Sequence, residues 1–355
     1  MIEPPDQAPQ SEPVVAELPP PSPFARLSPR PSRLVPEALD LLARSTGDLR
    51  RASFYIGLLV TGTVAPFALL VWRVSVDLEP LPIAEQIDRL SSGVQETISA
   101  SLVVALIGLI VAFIESRAVA ATLLAARLEG QPLELRYAVR RSRHVFWRIV
   151  RATIVTTVPL LLVQRWTEGL AADAFRGESE VSVISAGIVA TILLTPFAYV
   201  LTGIVLGDAG ALDAVRRSVR LFRAGKLAAL VVALFAWSAQ LLTTIGLVAG
   251  LDLVLRAAGV TSLFSSTDAV GTATTAFILV ILVFAVGTLL FTVAAISHAP
   301  QVVMFLALTH VAPGLDAARA ARDEARPFRW LTLPYILLIG LAMLILVAGL
   351  RSLAG

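Results

Sequence analysis

The stretch Ala138-Val139-Arg140-Arg141-Ser142 returns unchanged as Ala214-Val215-Arg216-Arg217-Ser218, and its reading decides the fold. A glycine lies just upstream of each copy (Gly130, Gly207), and each copy lies between two long apolar segments. A basic pentapeptide so placed is the joint between two membrane spans. The residues around it follow a helical period. In the second copy Leu212, Val215, Val219 and Phe222 recur at steps of three or four, opposite Asp213, Arg216, Arg217, Arg220 and Arg223. In the first, Leu135, Ala138, Val139, Ser142 and Phe146 oppose Arg136, Arg140, Arg143 and His144. Such a helix is expected to lie in the membrane plane, with its arginines among the headgroups.

The same register returns twice more, in weaker form. Leu39 through Ser45 aligns with Leu212 through Ser218, and Gly314 through Arg319 aligns with Gly210 through Arg216. The repeating unit reads as an in-plane helix, a span going out and a span coming back.

Composition agrees. The chain has 355 residues, of which 56% are hydrophobic and only 15% charged, and its mean hydropathy is +0.80. Several apolar runs are long enough to cross a hydrocarbon core of roughly 30 Å, and lipid obliges such runs to be helical. The fold class is therefore all-α, a polytopic helical bundle of about seven spans. With no cysteine, disulfides, thiol catalysis and cysteine-ligated metals are excluded. The net charge of +3 comes almost wholly from arginine, with Lys226 the single lysine. Because the arginines sit beside spans, membrane lipids are the expected partner and nucleic acid is not. An arginine-rich composition of this kind suggests a bacterial source.

In chain order, residues 1–35 are proline-rich and read as a disordered tail rather than a signal peptide. Residues 36–355 form the membrane domain, beginning with an in-plane helix at Pro36. Spans are expected near 54–74, 98–126, 145–166, 181–206, 227–251, 271–296 and 331–350, with prolines 66, 159 and 196 inside three of them. Residues 301–311 are apolar again beyond Pro300. They read as a kinked continuation of span six, or else as an interfacial segment. The arginines cluster after spans two, four and six, and the other loops are neutral or acidic. The positive-inside rule then places the N-terminus and the basic loops in the cytoplasm of a bacterial inner-membrane protein.

Pro36-Glu37-Ala38-Leu39-Asp40 before a basic turn, and Gly207 followed by Ala214-Val215-Arg216-Arg217-Ser218 and a span, resemble the membrane domain of some bacterial glycerophosphoryl diester phosphodiesterases and of related stand-alone membrane proteins. The resemblance covers about residues 36–310. In the fused members catalysis belongs to a separate (β/α)₈ domain, which is not expected here, so no catalytic residue is implied. The seventh span departs from the six-span pattern of that family.

Ionisable groups inside spans are the usual pointers to function in a membrane protein. Glu115, near the basic end of span two, is expected to pair with Arg117 or a neighbouring arginine, with a transport role as the rival. His298, beside Pro300, is expected to bond a carbonyl freed by the proline rather than a metal. His144 reads as an interfacial group, and three scattered histidines make no metal site. No catalytic motif or cofactor signature occurs. Gly203-xxx-Gly207 and Gly246-xxx-Gly250 mark close helix packing. The stripes of Arg136, Arg140 and Arg143 and of Arg216, Arg217, Arg220 and Arg223 have two readings, as phosphate sites for anionic lipid or as orienting charges alone. The expected function is a non-catalytic membrane module that binds anionic lipid or scaffolds a protein partner. The alternative is a transporter of a small molecule.

Overall fold

The structure is a computed structural model and describes residues 23–77, 92–174, 179–257 and 269–320. Among these there is no strand. The helices are α1 (Pro31–Asp77), α2 (Ser92–Leu128), α3 (Leu135–Ala174), α4 (Ser179–Leu194), α5 (Val200–Val205), α6 (Ala211–Ala224), α7 (Lys226–Ala257), α8 (Ala269–Thr309) and α9 (Pro313–Ala320). Among the described residues six segments are long and apolar enough to cross a membrane. The protein is a multi-pass helical membrane protein. The seventh expected span, 331–350, lies outside the described residues.

Order begins earlier than the sequence suggests. Residues 23–26 form a 3₁₀ turn whose Phe24 is buried, and α1 starts at Pro31 rather than Pro36, so the tail boundary at 35 moves back. Proline suits a first helical position, where its missing N–H has no intrahelical partner to lose. Two of the basic stretches do not stand apart as helices. Residues 31–77 and 135–174 each run without a break from the basic stretch into the span. Of the three stretches whose following span is described, α6 alone is separate, closing at Gly225 before α7 begins.

The prolines act unequally. Pro66, Pro159 and Pro300 lie inside continuous helices, whereas Pro196 breaks the fourth span. There a 3₁₀ turn, Thr195–Phe197, separates α4 from α5. Ser218 of α6 bridges the break: its hydroxyl donates to the Pro196 carbonyl at 2.7 Å and accepts from the Tyr199 N–H at 3.1 Å. Residues 299–309 belong to α8, which decides for the continuation beyond Pro300. At 41 residues α8 is about 60 Å long, twice a hydrocarbon core.

The bundle is packed unevenly along that length. α1 packs along α8 and α2, α3 along α4 and α2, and α7 along α8 and α4. α1 and α8 meet nearly backbone to backbone, since a Cβ on Gly287 would lie 2.9 Å from the Gly57 Cα. The core gathers at the basic end: Leu34, Leu41, Leu59, Leu124, Ile204 and the run Val302–Leu306 are fully buried. At the other end apolar side chains face outward, among them Leu106 and Ile110 on α2, Leu162 on α3, Ile192 on α4, Leu242 on α7 and Phe277 on α8. This band is the lipid-facing surface. On α3 it is bracketed by two exposed tryptophans, Trp147 and Trp166. Their separation of nineteen residues spans about 28 Å of helix, the thickness of the hydrocarbon. Tryptophan favours the two edges of that layer.

The aligned basic stretches share one pattern of burial. Leu41, Ala138, Ala214 and Ala318 occupy equivalent positions and are all fully buried, as are Ser45, Ser142 and Ser218 four residues on. On α6 this shifts the inward face from the one expected. Ala214 and Ser218 face the bundle, Val215, Val219 and Phe222 flank them half-buried, and Leu212 is exposed. The small residues let α6 approach the Gly203 end of α5, where Ala214 is the neighbour.

Candidate functional site: a buried charge layer and an arginine-lined cavity

Helix ends at the basic end are closed by local chemistry. α2 ends on Gly130 at φ 82°, with the Gln131 N–H donating to the Ala126 carbonyl, a Schellman closure. α8 ends on His310 at φ 55°, whose N–H donates to the Leu306 carbonyl. Asp208, at φ 49°, turns the chain from α5 towards α6. Asp is among the side chains that adopt this conformation most readily.

These turns and the helices beside them carry a layer of ion pairs that joins segments far apart in the chain. Glu115 of α2 is fully buried and accepts from Arg143 Nε at 2.7 Å and from the Tyr55 hydroxyl at 2.9 Å. Arg143 Nη2 also donates to the Tyr55 oxygen at 2.9 Å, closing a triangle between α1, α2 and α3. The expected pairing of Glu115 with an arginine therefore holds, through Arg143 and not Arg117. Arg143 must accordingly be struck from the exposed stripe, because a side chain on the α2 side of α3 finds a buried carboxylate there. Arg141, absent from either stripe of its copy, is buried too. It donates to the Val205 and Ile204 carbonyls at 3.0 and 3.2 Å and to Asp208 Oδ1 at 2.8 Å. Arg148 reaches the same Asp208 oxygen at 2.8 Å. Partial burial pushes the Asp208 carboxyl up, but the hydrogen bond and charge of Arg141, with Arg148 behind them, hold it below its usual range. Arg127 pairs with Asp48 at 3.1 Å, and Arg319 of α9 with Glu129. The Gly314 N–H donates to the Leu206 carbonyl at 2.8 Å.

The remaining stripe residues divide. Arg136, Arg140, Arg216, Arg220 and Arg223 are exposed. Arg136 pairs with Glu134 at 2.6 Å, and Arg216 stands 3.9 Å from Asp213. Arg217 lies half-buried over the Phe305 ring, 5.3 Å from its centroid. His298 Nδ1 donates to the Ala294 carbonyl at 2.9 Å. This is one turn back in the same helix, and not the Ile296 carbonyl that Pro300 frees. Gly207 packs tightly, since its Cβ would lie 2.6 Å from Arg217 Nη1, whereas Gly246 and Gly250 meet nothing within 4 Å.

Arg117 was visible in the sequence only as a possible partner for Glu115. Here it lines two adjoining cavities, of about 470 and 290 Å³, together with Phe113, Gln240 and His298. Its guanidinium stacks on the Phe113 ring, 3.7 Å from the centroid. Among the described residues no three His, Asp or Glu side chains are grouped to hold a metal.

No family model, curated protein or solved structure matches the chain. The site must therefore be read from its own geometry.

Proposed function

We propose that the protein is a non-catalytic module of a bacterial inner membrane, with its N-terminus in the cytoplasm, that holds anionic lipid at its basic end. The observation that carries this reading is α6. One face of that helix is sealed against the bundle through Ala214 and Ser218, and the opposite face presents Arg216, Arg220 and Arg223 to the outside. Among the described residues Arg220 and Arg223 have no acidic partner. A cation near an anionic leaflet contributes about 1 kcal/mol of attraction, so three together favour an acidic lipid surface. The aligned basic stretches, read as an internal repeat, would place Arg136 and Arg140 of α3 in a similar role. If residues 36–310 are akin to a phosphodiesterase membrane domain, as their basic stretches suggest, the module would work beside a partner protein.

The transporter reading rests on the Arg117 cavities. Transporter sites gather near mid-membrane, whereas Arg117 lies past the end of the exposed apolar band of α2, so that reading is the weaker one.

The test replaces Arg216, Arg220 and Arg223 together with Gln and measures co-purifying lipid by native mass spectrometry. A smaller number of co-purifying phosphatidylglycerol and cardiolipin molecules on a protein with unchanged topology is the expected result. Unchanged lipid, with or without mixed topology, overturns the proposal.

A further inference from the structure

Arg117 differs from the other inward arginines. Arg141 and Arg143 each meet a carboxylate. Arg117 has only the Phe113 ring, and among the described residues it makes no ion pair or hydrogen bond. A guanidinium offers five N–H donors, and leaving them unmet inside a protein is costly. Among the described residues no Asp or Glu lines either cavity. The neutral polar groups present are the Gln240 and Gln301 amides, His298 and a row of threonines including Thr153 and Thr156. The far walls are apolar, formed by Leu160, Leu194, Phe197 and Leu201. The lining thus pairs one unneutralised cation with an apolar wall.

Position supports the same reading. Phe113 is the last exposed residue of the α2 apolar band, and Arg117 follows one turn later. On α3 the lining residues Ile149, Ala152 and Thr153 come just after Trp147. Both helices therefore put the arginine at the edge of the hydrocarbon, where lipid phosphates lie. Thr153 and Leu160 line the cavity and are exposed, so the cavity is open along α3.

We infer that the Arg117 cavity is a binding site for one phosphate-bearing anionic amphiphile, a monoanionic phospholipid whose phosphodiester is held by Arg117 and whose acyl chain runs along the apolar lining towards Leu160 and Leu194. The site is separate from the exposed arginines of α6 and does not rest on them. A single cation matches a single net negative charge, so phosphatidylglycerol is preferred over zwitterionic phosphatidylethanolamine.

The experiment titrates the delipidated full-length protein with each lipid and counts bound molecules by native mass spectrometry. Wild type is expected to retain one phosphatidylglycerol more tightly than phosphatidylethanolamine. Arg117→Gln should weaken it about 10- to 100-fold, the loss expected for hydrogen bonds to a charged group, and Arg117→Lys should restore part of it. Ala236→Phe fills the cavity and keeps the charge, and should also lose the lipid. The triple Gln variant of α6 should keep it. Retention of the tight lipid in either Arg117→Gln or Ala236→Phe overturns the inference. In a second arm, inorganic phosphate and glycerol 3-phosphate are added without lipid. Thermal stabilisation of wild type by these alone, with no tight phosphatidylglycerol, overturns the lipid assignment and assigns the site to a soluble phosphate.

Discussion

Replacing Glu115 with Gln tests whether the buried charge layer holds the helices together. Gln keeps the shape of Glu but removes the charge, and its amide nitrogen cannot accept a hydrogen bond. The Arg143 Nε and the Tyr55 hydroxyl now each donate to a different Glu115 oxygen. One of them would face an NH₂ group instead. Arg143, whose side chain is only 10% exposed, would lose the charge of the Glu115 carboxylate. Removing one partner of a buried pair costs about 3–5 kcal/mol. The residual exposure of Arg143 and its surviving hydrogen bond to Tyr55 point to the lower end, about 3 kcal/mol, or about a 100-fold drop in the ratio of folded to unfolded protein. Reversible unfolding by SDS in mixed micelles, followed by tryptophan fluorescence, measures it. The combined variant Tyr55→Phe, Glu115→Leu and Arg143→Met removes all three members of the triangle at once and should recover to within about 1 kcal/mol of wild type. A single Gln variant within about 1 kcal/mol of wild type would refute the reasoning. A combined variant as unstable as the single one would show that lost packing, not a stranded charge, set the cost.

Two further outcomes follow from the turn after α5. In Gly314→Ala the new Cβ would lie 2.0 Å from the Val205 oxygen and 2.9 Å from Arg141 Nη2, so a loss of about 1–3 kcal/mol is expected, while Gly246→Ala, which meets nothing within 4 Å, should be neutral or slightly stabilising in the same assay. Asp208 is held below its usual range in the folded protein, so its contribution is present above the unfolded pKa of about 4 and fades as pH falls through the lower folded value. A stability profile measured between pH 6 and 3 should therefore flatten at its acid end in Asp208→Asn, and an unchanged slope would remove Asp208 from the account.

The helical membrane class was legible because hydropathy and helical length act locally. A run of apolar residues long enough for the bilayer carries its own instruction. The directions of the arginines were not legible. Arg140, Arg141 and Arg143 lie within one turn, yet Arg140 is exposed, Arg141 turns to Asp208 and Arg143 to Glu115. Those carboxylates lie 67 and 28 residues away in the chain, and periodicity counts only neighbours. The inward face of α6 was misread for a related reason. A hydrophobicity pattern seeks the large side chains Leu212 and Phe222, but close approach between helices selects Ala214 and Ser218. The cavity role of Arg117 was not legible either, because an unpartnered arginine in a span differs from a paired one only through what surrounds it.

The turn at residues 204–208 also has a bearing on how the chain is built. Its carbonyls and its one carboxylate are held by Arg141 and Arg148, made earlier, and by the amide of Gly314, made more than a hundred residues later. Arg319 reaches back to Glu129 across a still longer interval. During synthesis the spans can enter the bilayer one after another, but the Leu206 carbonyl must wait for its partner until the ribosome has passed residue 314. The basic end is thus a latch that closes last, and a nascent chain halted before α9 would be inserted but unlocked.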